Sequence, residues 1–359
     1  MLLVVTAEKR AVLRRVRAFA DLGDDECDAV LAVLKARRGN PGDVLFREGD
    51  RGESLMIVLE GQLVARVGTD SGVDEEIARL GPGEVVGEMA FVDAEPRSAT
   101  VATGDVPVTV LDFTREALGV LARDTPRVAS AILRNVLLDV ARRLRDAGEK
   151  LADGAGPMSA ASTGGPVSQG RTGRGLTVDQ LRAIPTFSAY SEQDLELLVY
   201  IGTLRTFAAG EVLMREGAAG ESCFLVASGN VAVTRAGSAS PIASLGPGAL
   251  VGQLALLDRA PRSATVIASQ DAVTLEVRGD SFGNLVRASS PLALRFQWQV
   301  ALAGVRQLRM ATRRLAAAQE QKTSLAPDSM RMLDGWDDWD EGSSGPTLEL
   351  AIDPLSLRR

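Results

Sequence analysis

The sequence contains no histidine, only two cysteines, and aromatic residues at just 4% of its 359 positions. Without histidine there are no imidazole metal sites, no imidazole-dependent nucleophilic triads and no histidine general base. Cys27 and Cys223 fall in apolar surroundings, in what read as corresponding parts of the chain, so both are expected as buried free thiols rather than a disulfide. With so few aromatics, the cores must be built from Leu, Val, Ile and Ala. No apolar run approaches the roughly 20 residues of a membrane span. The apolar start, Met1–Val5, is too short for a signal peptide and has no basic region before it. A cytoplasmic location without membrane association is expected. Lys and Arg number 40 against 47 Asp and Glu, a net charge of −7. That balance disfavours general nucleic-acid affinity, although a locally positive pocket can still hold a small anion. No paired carboxylates, metal clusters or P-loops occur at the required spacing, so no catalytic residue and no metal is assigned and an enzyme is not expected. The acidic cluster Asp337, Asp338, Asp340 and Glu341 reads as solvated charge.

What the sequence does have is an internal repeat. GDVLFREG (42–49) answers GEVLMREG (210–217), and GESLMIVLEG (52–61) answers GESCFLVASG (220–229). LGPGEVVGEMAFVD (80–93) answers LGPGALVGQLALLD (245–258), and PRSAT follows both, at 96–100 and 261–265. The order is collinear, and the halves differ mainly by a shorter loop around Gly237–Pro241. The chain is a duplication.

Each half opens with a helical segment, around Phe19 and Asp24–Leu34 or Phe187 and Ser191–Tyr200. Short apolar or alternating runs follow (Ser54–Leu59, Gln62–Val67, Phe224–Ala227, Val231–Thr234), separated by glycine turns at regular intervals. This pattern predicts an antiparallel β-barrel or jelly roll, mainly β, flanked by N- and C-terminal helices. Thr125-Pro126 and Ser290-Pro291 predict N-caps with first-turn prolines for the closing helices. Those helices carry narrow apolar stripes, Leu133, Leu137, Val140 and Leu144 in one, Leu294, Trp298, Ala301, Val305 and Leu308 in the other. The stripes suit either packing on the helix's own barrel or a seam with a second copy, a homodimer. Domains are expected at 8–150 and 177–322, joined by a Gly/Ser-rich flexible linker at 151–176 that favours independent halves. A disordered acidic tail is expected at 323–359.

The segments GEMAFVDAEPRSAT (87–100) and GQLALLDRAPRSAT (252–265) resemble the phosphate-binding cassette of the cyclic-nucleotide-binding domain family, which includes the bacterial catabolite activator protein, protein kinase A regulatory subunits and cyclic-nucleotide-gated channels. The resemblance covers roughly residues 10–150 and 178–320. A cyclic monophosphate presents one anionic phosphate, a ribose 2′-hydroxyl and a mostly apolar purine. Gly87 can turn the chain into a short helix whose free N–H groups, with Met89 and Ala90, face the phosphate. Arg97 supplies a cationic fork, Ser98 a hydroxyl donor and Glu88 an acceptor for the 2′-hydroxyl. In the family the glutamate and arginine play these roles. In the second half Gly252, Leu254, Ala255, Arg262 and Ser263 repeat the pattern, but Gln253 replaces the glutamate. Its neutral carbonyl still accepts, with an expected loss on the order of tenfold in affinity.

The resemblance implies cAMP or cGMP as a regulatory ligand, with cAMP favoured; Ser98 and Ser263 do not decide between them. Arg306–Gln321 continues as one helical pattern into the tail without a helix-turn-helix, so DNA is not an expected partner. Tandem architecture resembles the kinase regulatory subunits, yet no basic–basic–small inhibitory motif is present. A ligand-sensing adaptor with a protein partner is expected. The alternative is a scaffold with degenerate pockets, docking through its tail, where Trp336, Trp339 and Leu355–Arg359 resemble short docking elements.

Overall fold

The computed structural model describes residues 7–16, 19–68, 74–153, 166–173, 177–184, 187, 190–236 and 241–324. The first half begins with α1 (Ala7–Leu13) and α2 (Asp24–Val33) and continues through β1 (Lys35–Gly39), β2 (Val44–Phe46), β3 (Ser54–Glu60), β4 (Leu63–Gly68), β5 (Asp74–Leu80) and β6 (Val85–Val86). A short helix, α3 (Glu88–Asp93), precedes β7 (Thr100–Thr103) and β8 (Val108–Thr114), and the half ends with α4 (Arg115–Asp124) and α5 (Pro126–Asp153). The second half repeats this plan. It comprises β9 (Arg171–Thr172), α6 (Val178–Arg182), α7 (Glu192–Ile201), β10 (Gly202–Phe207), β11 (Val212–Met214), β12 (Ser222–Ser228), β13 (Val231–Thr234), β14 (Ala243–Leu245) and β15 (Leu250–Val251). Then come α8 (Gln253–Asp258), β16 (Thr265–Ala268), β17 (Ala272–Arg278), α9 (Gly279–Arg287) and α10 (Pro291–Ser324).

The strand orders are β1-β8-β3-β6 and β2-β7-β4-β5 in the first half, β15-β12-β17-β10-β9 and β11-β16-β13-β14 in the second. Apart from β9 these are the same order, two facing antiparallel sheets in a jelly roll rather than a closed barrel. Two bulges match as well: Val44/Phe46 and Val58/Glu60 correspond to Val212/Met214 and Val226/Ser228, while the one at Ala65/Arg66 between β4 and β5 has no counterpart between β13 and β14.

Alternation along the central strands explains their nearly unbroken apolar character. In β3, Met56 and Val58 enter the cluster between the sheets, while Leu55 and Ile57 face the helices. In β12, Phe224 and Val226 do the first, Cys223 and Leu225 the second. Cys27 and Cys223 are buried free thiols, but they do not occupy corresponding places, one being in α2 and the other in β12. Burial pushes the Cys223 thiol up to about 12, so it is inert at neutral pH.

Of the two helix caps expected from the sequence, one forms as expected. Ser290 Oγ accepts from the Ala293 amide (3.2 Å) at the start of α10. At the start of α5 the Thr125 hydroxyl is buried without a partner, and the Thr125 carbonyl instead accepts from the Val128 amide (2.9 Å). Of the expected linker, Arg171 and Thr172 pair with Thr206 and Arg205 at the edge of the second sandwich. The expected tail, from residue 325 onward, and the loop at 237–240 lie outside the described residues.

The stripes on the closing helices are largely buried within the chain, and the two helices touch at Val140 and Gly304 and at Ser130 and Gln297. Leu133, Leu137 and Val140 of α5 and Ala301, Val305 and Leu308 of α10 all belong to one buried cluster that runs through both halves. A Cβ on Gly304 would stand 2.8 Å from Val140 Cγ1, so the helices approach closely where glycine permits it. The buried Gln297 amide donates to Ser130 Oγ (3.0 Å) and to the Ala288 carbonyl (2.8 Å), tying α10 to α5. Each fully buried Leu or Val on this seam contributes about 1.5–3 kcal/mol relative to exposure. The linker composition pointed to independent halves; the seam joins them, because the linker sets only the tether and not what the apolar stripes find.

Candidate functional site

In each half the cassette begins where a two-residue strand ends at a left-handed glycine. Gly87 (φ 81°) leads from β6 into α3, and Gly252 (φ 83°) leads from β15 into α8. Both helices end on a left-handed residue other than glycine, Ala94 (φ 62°) and Arg259 (φ 57°). The first turn of each helix leaves backbone N–H groups without intrahelical acceptors, at Glu88, Met89 and Ala90 in one and Gln253, Leu254 and Ala255 in the other.

Arg97 is threaded back under this turn. Its side chain is almost wholly buried, with 6% of the residue exposed. Nη1 donates to the Gly87 carbonyl (2.9 Å) and Nη2 to Ser54 Oγ (3.5 Å), both neutral acceptors. Nε is buried with no hydrogen-bond partner. The guanidinium lies 4.2 Å from the Phe46 ring centroid. Cβ atoms at Gly52 and Gly87 would each stand 2.3 Å from its nitrogens, so both glycines are needed for it to pass. Burial holds the Arg97 guanidinium below its usual range, against the opposing pull of Asp112, Glu88 and Asp50. The group stays charged, so the shift measures a desolvation cost that an anion would relieve.

Arg262 repeats the arrangement. Nη1 donates to the Gly252 carbonyl (2.7 Å) and Nη2 to the Ser222 carbonyl (2.6 Å). Burial again lowers its pKa. In place of Phe46 this half has Met214, and a cleft with a cavity volume of about 60 Å³ lies against Met214, Gln253, Arg262, Ser263 and Gln307.

Glu88 and Gln253, 1% and 2% exposed, are both engaged by residues that the sequence reading did not single out. Arg143 of α5 donates from Nη1 to Glu88 Oε1 (2.8 Å) and from Nη2 to the Val85 carbonyl. In the second half Gln253 Nε2 donates to Gln307 Oε1 (3.3 Å), and Gln307 Nε2 donates to the Leu250 carbonyl (2.9 Å). Ser98, expected as a free donor, turns its hydroxyl to Met89 Sδ at 3.3 Å. The structure thus gathers Gly87, Glu88, Arg97 and Ser98 on one turn, and Gly252, Gln253, Arg262 and Ser263 on the other.

A second grip comes from across the seam. Arg309 of α10 donates from Nε (2.6 Å) and Nη2 (3.0 Å) to Asp93, the last residue of α3. Arg145 of α5 does the same to Asp258, the last residue of α8. Trp298 of α10 meets Phe91 of α3 edge-on, with ring centroids 5.9 Å apart. Each cassette helix is therefore held at its start by its own closing helix and at its end by the other half's. The signal was present in sequence: ARRLR (141–145) aligns with VRQLR (305–309) once the repeat is shifted by one residue.

Residues 36–125 and 204–289 both match the cyclic nucleotide-binding domain family. The chain belongs to that family and carries its domain in tandem. A cAMP-dependent protein kinase regulatory subunit of Yarrowia lipolytica is 27% identical over 269 residues, 75% of this chain and 58% of that protein. The cyclic AMP receptor protein of Thermus thermophilus is 35% identical over 130 residues, 36% of this chain and 57% of that protein. The chain spans less than two thirds of the length of both. Among solved structures, the N-terminal domain of a transcriptional regulator from Streptomyces coelicolor A3(2) is 34% identical, with 39% of this chain and 94% of that one covered at a TM-score of 0.33. That superposition is too loose to bear on the site.

No helix among the described residues is long and apolar enough to cross a membrane. Among the same residues no group of three or more acidic or cysteine side chains is placed to hold a metal ion.

Proposed function

We propose that this protein is a regulatory sensor that binds cyclic nucleotide, cAMP in preference to cGMP, and passes the binding on to a protein partner without catalytic or DNA-binding activity of its own. The observation that carries this reading is the buried Arg97 guanidinium, which has only neutral acceptors and an unpartnered Nε. A buried cation in that state is completed by an anion, and a cyclic phosphate seated on the Gly87 turn supplies one. Glu88, with one oxygen on Arg143, keeps the other for a ribose 2′-hydroxyl. Ser98 leaves Met89 to donate to the phosphate. The preference for cAMP draws support from the relatives, whose names place them with cAMP-dependent kinases and a cyclic AMP receptor. The working domains are taken as 8–150 and 177–322, and the location as cytoplasmic.

Calorimetric titration of the full chain with cAMP and cGMP, beside Arg97→Ala and Arg262→Ala, tests the proposal. Each substitution is expected to weaken one class of site by at least about tenfold, since hydrogen bonds to a charged partner are lost. No binding of either nucleotide by protein freed of any co-purified ligand would leave the chain as a scaffold.

A further inference from the structure

We infer that Gln307 is the positioning residue of the second site, and that Gln253 and Gln307 together replace Glu88 and Arg143 as one unit; this rests on reading the Gly252–Ser263 turn as a nucleotide site. A glutamine where the first half has a glutamate reads, in sequence, as simple attrition. The structure places a second difference against it. Gln307 occupies the place of Arg143, bonding both the first helical residue of its cassette and the carbonyl of the preceding strand, Leu250 in one half and Val85 in the other.

The chemistry of the pair dictates its orientation. The Leu250 carbonyl can only accept, so Gln307 must turn its Nε2 there and its Oε1 towards Gln253. That oxygen in turn takes the Gln253 Nε2, which leaves Gln253 Oε1 as an acceptor. In the first half the same relay ends on the second oxygen of Glu88. Both relays start at a strand carbonyl and finish on an acceptor suited to a ribose hydroxyl. The charge is also preserved. Arg97, Arg143 and Glu88 in the first half, and Arg262, Gln253 and Gln307 in the second, each sum to one positive charge. Changing either residue alone would bury an unpaired charge beside the ligand.

The test uses the full chain with Arg97→Ala, so that titration with cAMP reads the second half. Gln253→Glu alone is expected to lose on the order of tenfold or more in affinity. Adding Gln307→Arg is expected to restore it to within about threefold of the starting chain. Gln307→Met, which introduces no charge, is expected to weaken binding by about tenfold and stands in if Gln253→Glu does not fold. Affinity that rises with Gln253→Glu, is not recovered in the double variant, or is indifferent to Gln307→Met overturns the pairing while leaving the site itself standing. If Arg97→Ala alone abolishes all cAMP binding that the natural chain shows, the second site and the inference fall together.

Discussion

The first and second sandwiches share strand order, two bulge positions and a buried arginine behind a left-handed glycine, but they part company where helices from outside the sandwich reach the cassette. In the first, a carboxylate–guanidinium pair closes the start of α3; in the second, two amides close the start of α8. The cross-seam grips differ too. Asp93 has a side chain only 2% exposed and Arg309 12%, whereas Asp258 and Arg145 are 23% and 21% exposed. The duplicated halves keep the backbone and the Asp–Arg grips, and at the start of the cassette helix both members of one side-chain pair differ together. A buried polar residue can be exchanged cheaply only with its partner.

This contrast can be broken most forcefully at the cross-seam pairs. Arg309→Ala leaves Asp93 buried and unpaired and is expected to destabilise the chain by about 3–5 kcal/mol. Arg145→Ala frees a half-wet Asp258 and should cost about 1 kcal/mol. Urea unfolding of the two variants side by side checks the order, and equal losses would mean that burial does not separate the grips. Next comes the seam itself. Gly304→Val puts new atoms into the space of Val140 and is expected to cost about 1–3 kcal/mol, read in the same unfolding curves. The smallest effect concerns the cassette ends. Ala94→Gly and Arg259→Gly each relieve a left-handed backbone and are expected to stabilise by about 0.5–1 kcal/mol, visible as matched rises in Tm.

The parts of the molecule readable in sequence were those written in local order. Glycine turns, alternating strands and the GE…PRSAT cassette lie within short spans, so the jelly roll and the turn holding Arg97 and Arg262 could be placed. The caps were half legible: Ser290 behaves as its type suggests, while Thr125, equally suited, is turned inward by its surroundings. Arg143 and Gln307 were missed because the repeat slips by one residue inside the closing helices, which hides their equivalence from any single-offset alignment. The stripes announced a seam but not its partner, since nothing in a stripe says whether the matching surface lies on a sandwich, another copy or the other half.

The seam also imposes an order of events on the nascent chain. Gln297 meets Ser130 across 167 residues and Arg309 meets Asp93 across 216, whereas the pairings inside each sandwich close far shorter loops. Loop closure over such separations is slow, and the N-terminal half is synthesised first. Until α10 emerges, the face of α5 that meets it is uncovered. The speed with which the second half arrives sets how long that apolar face stays open to water.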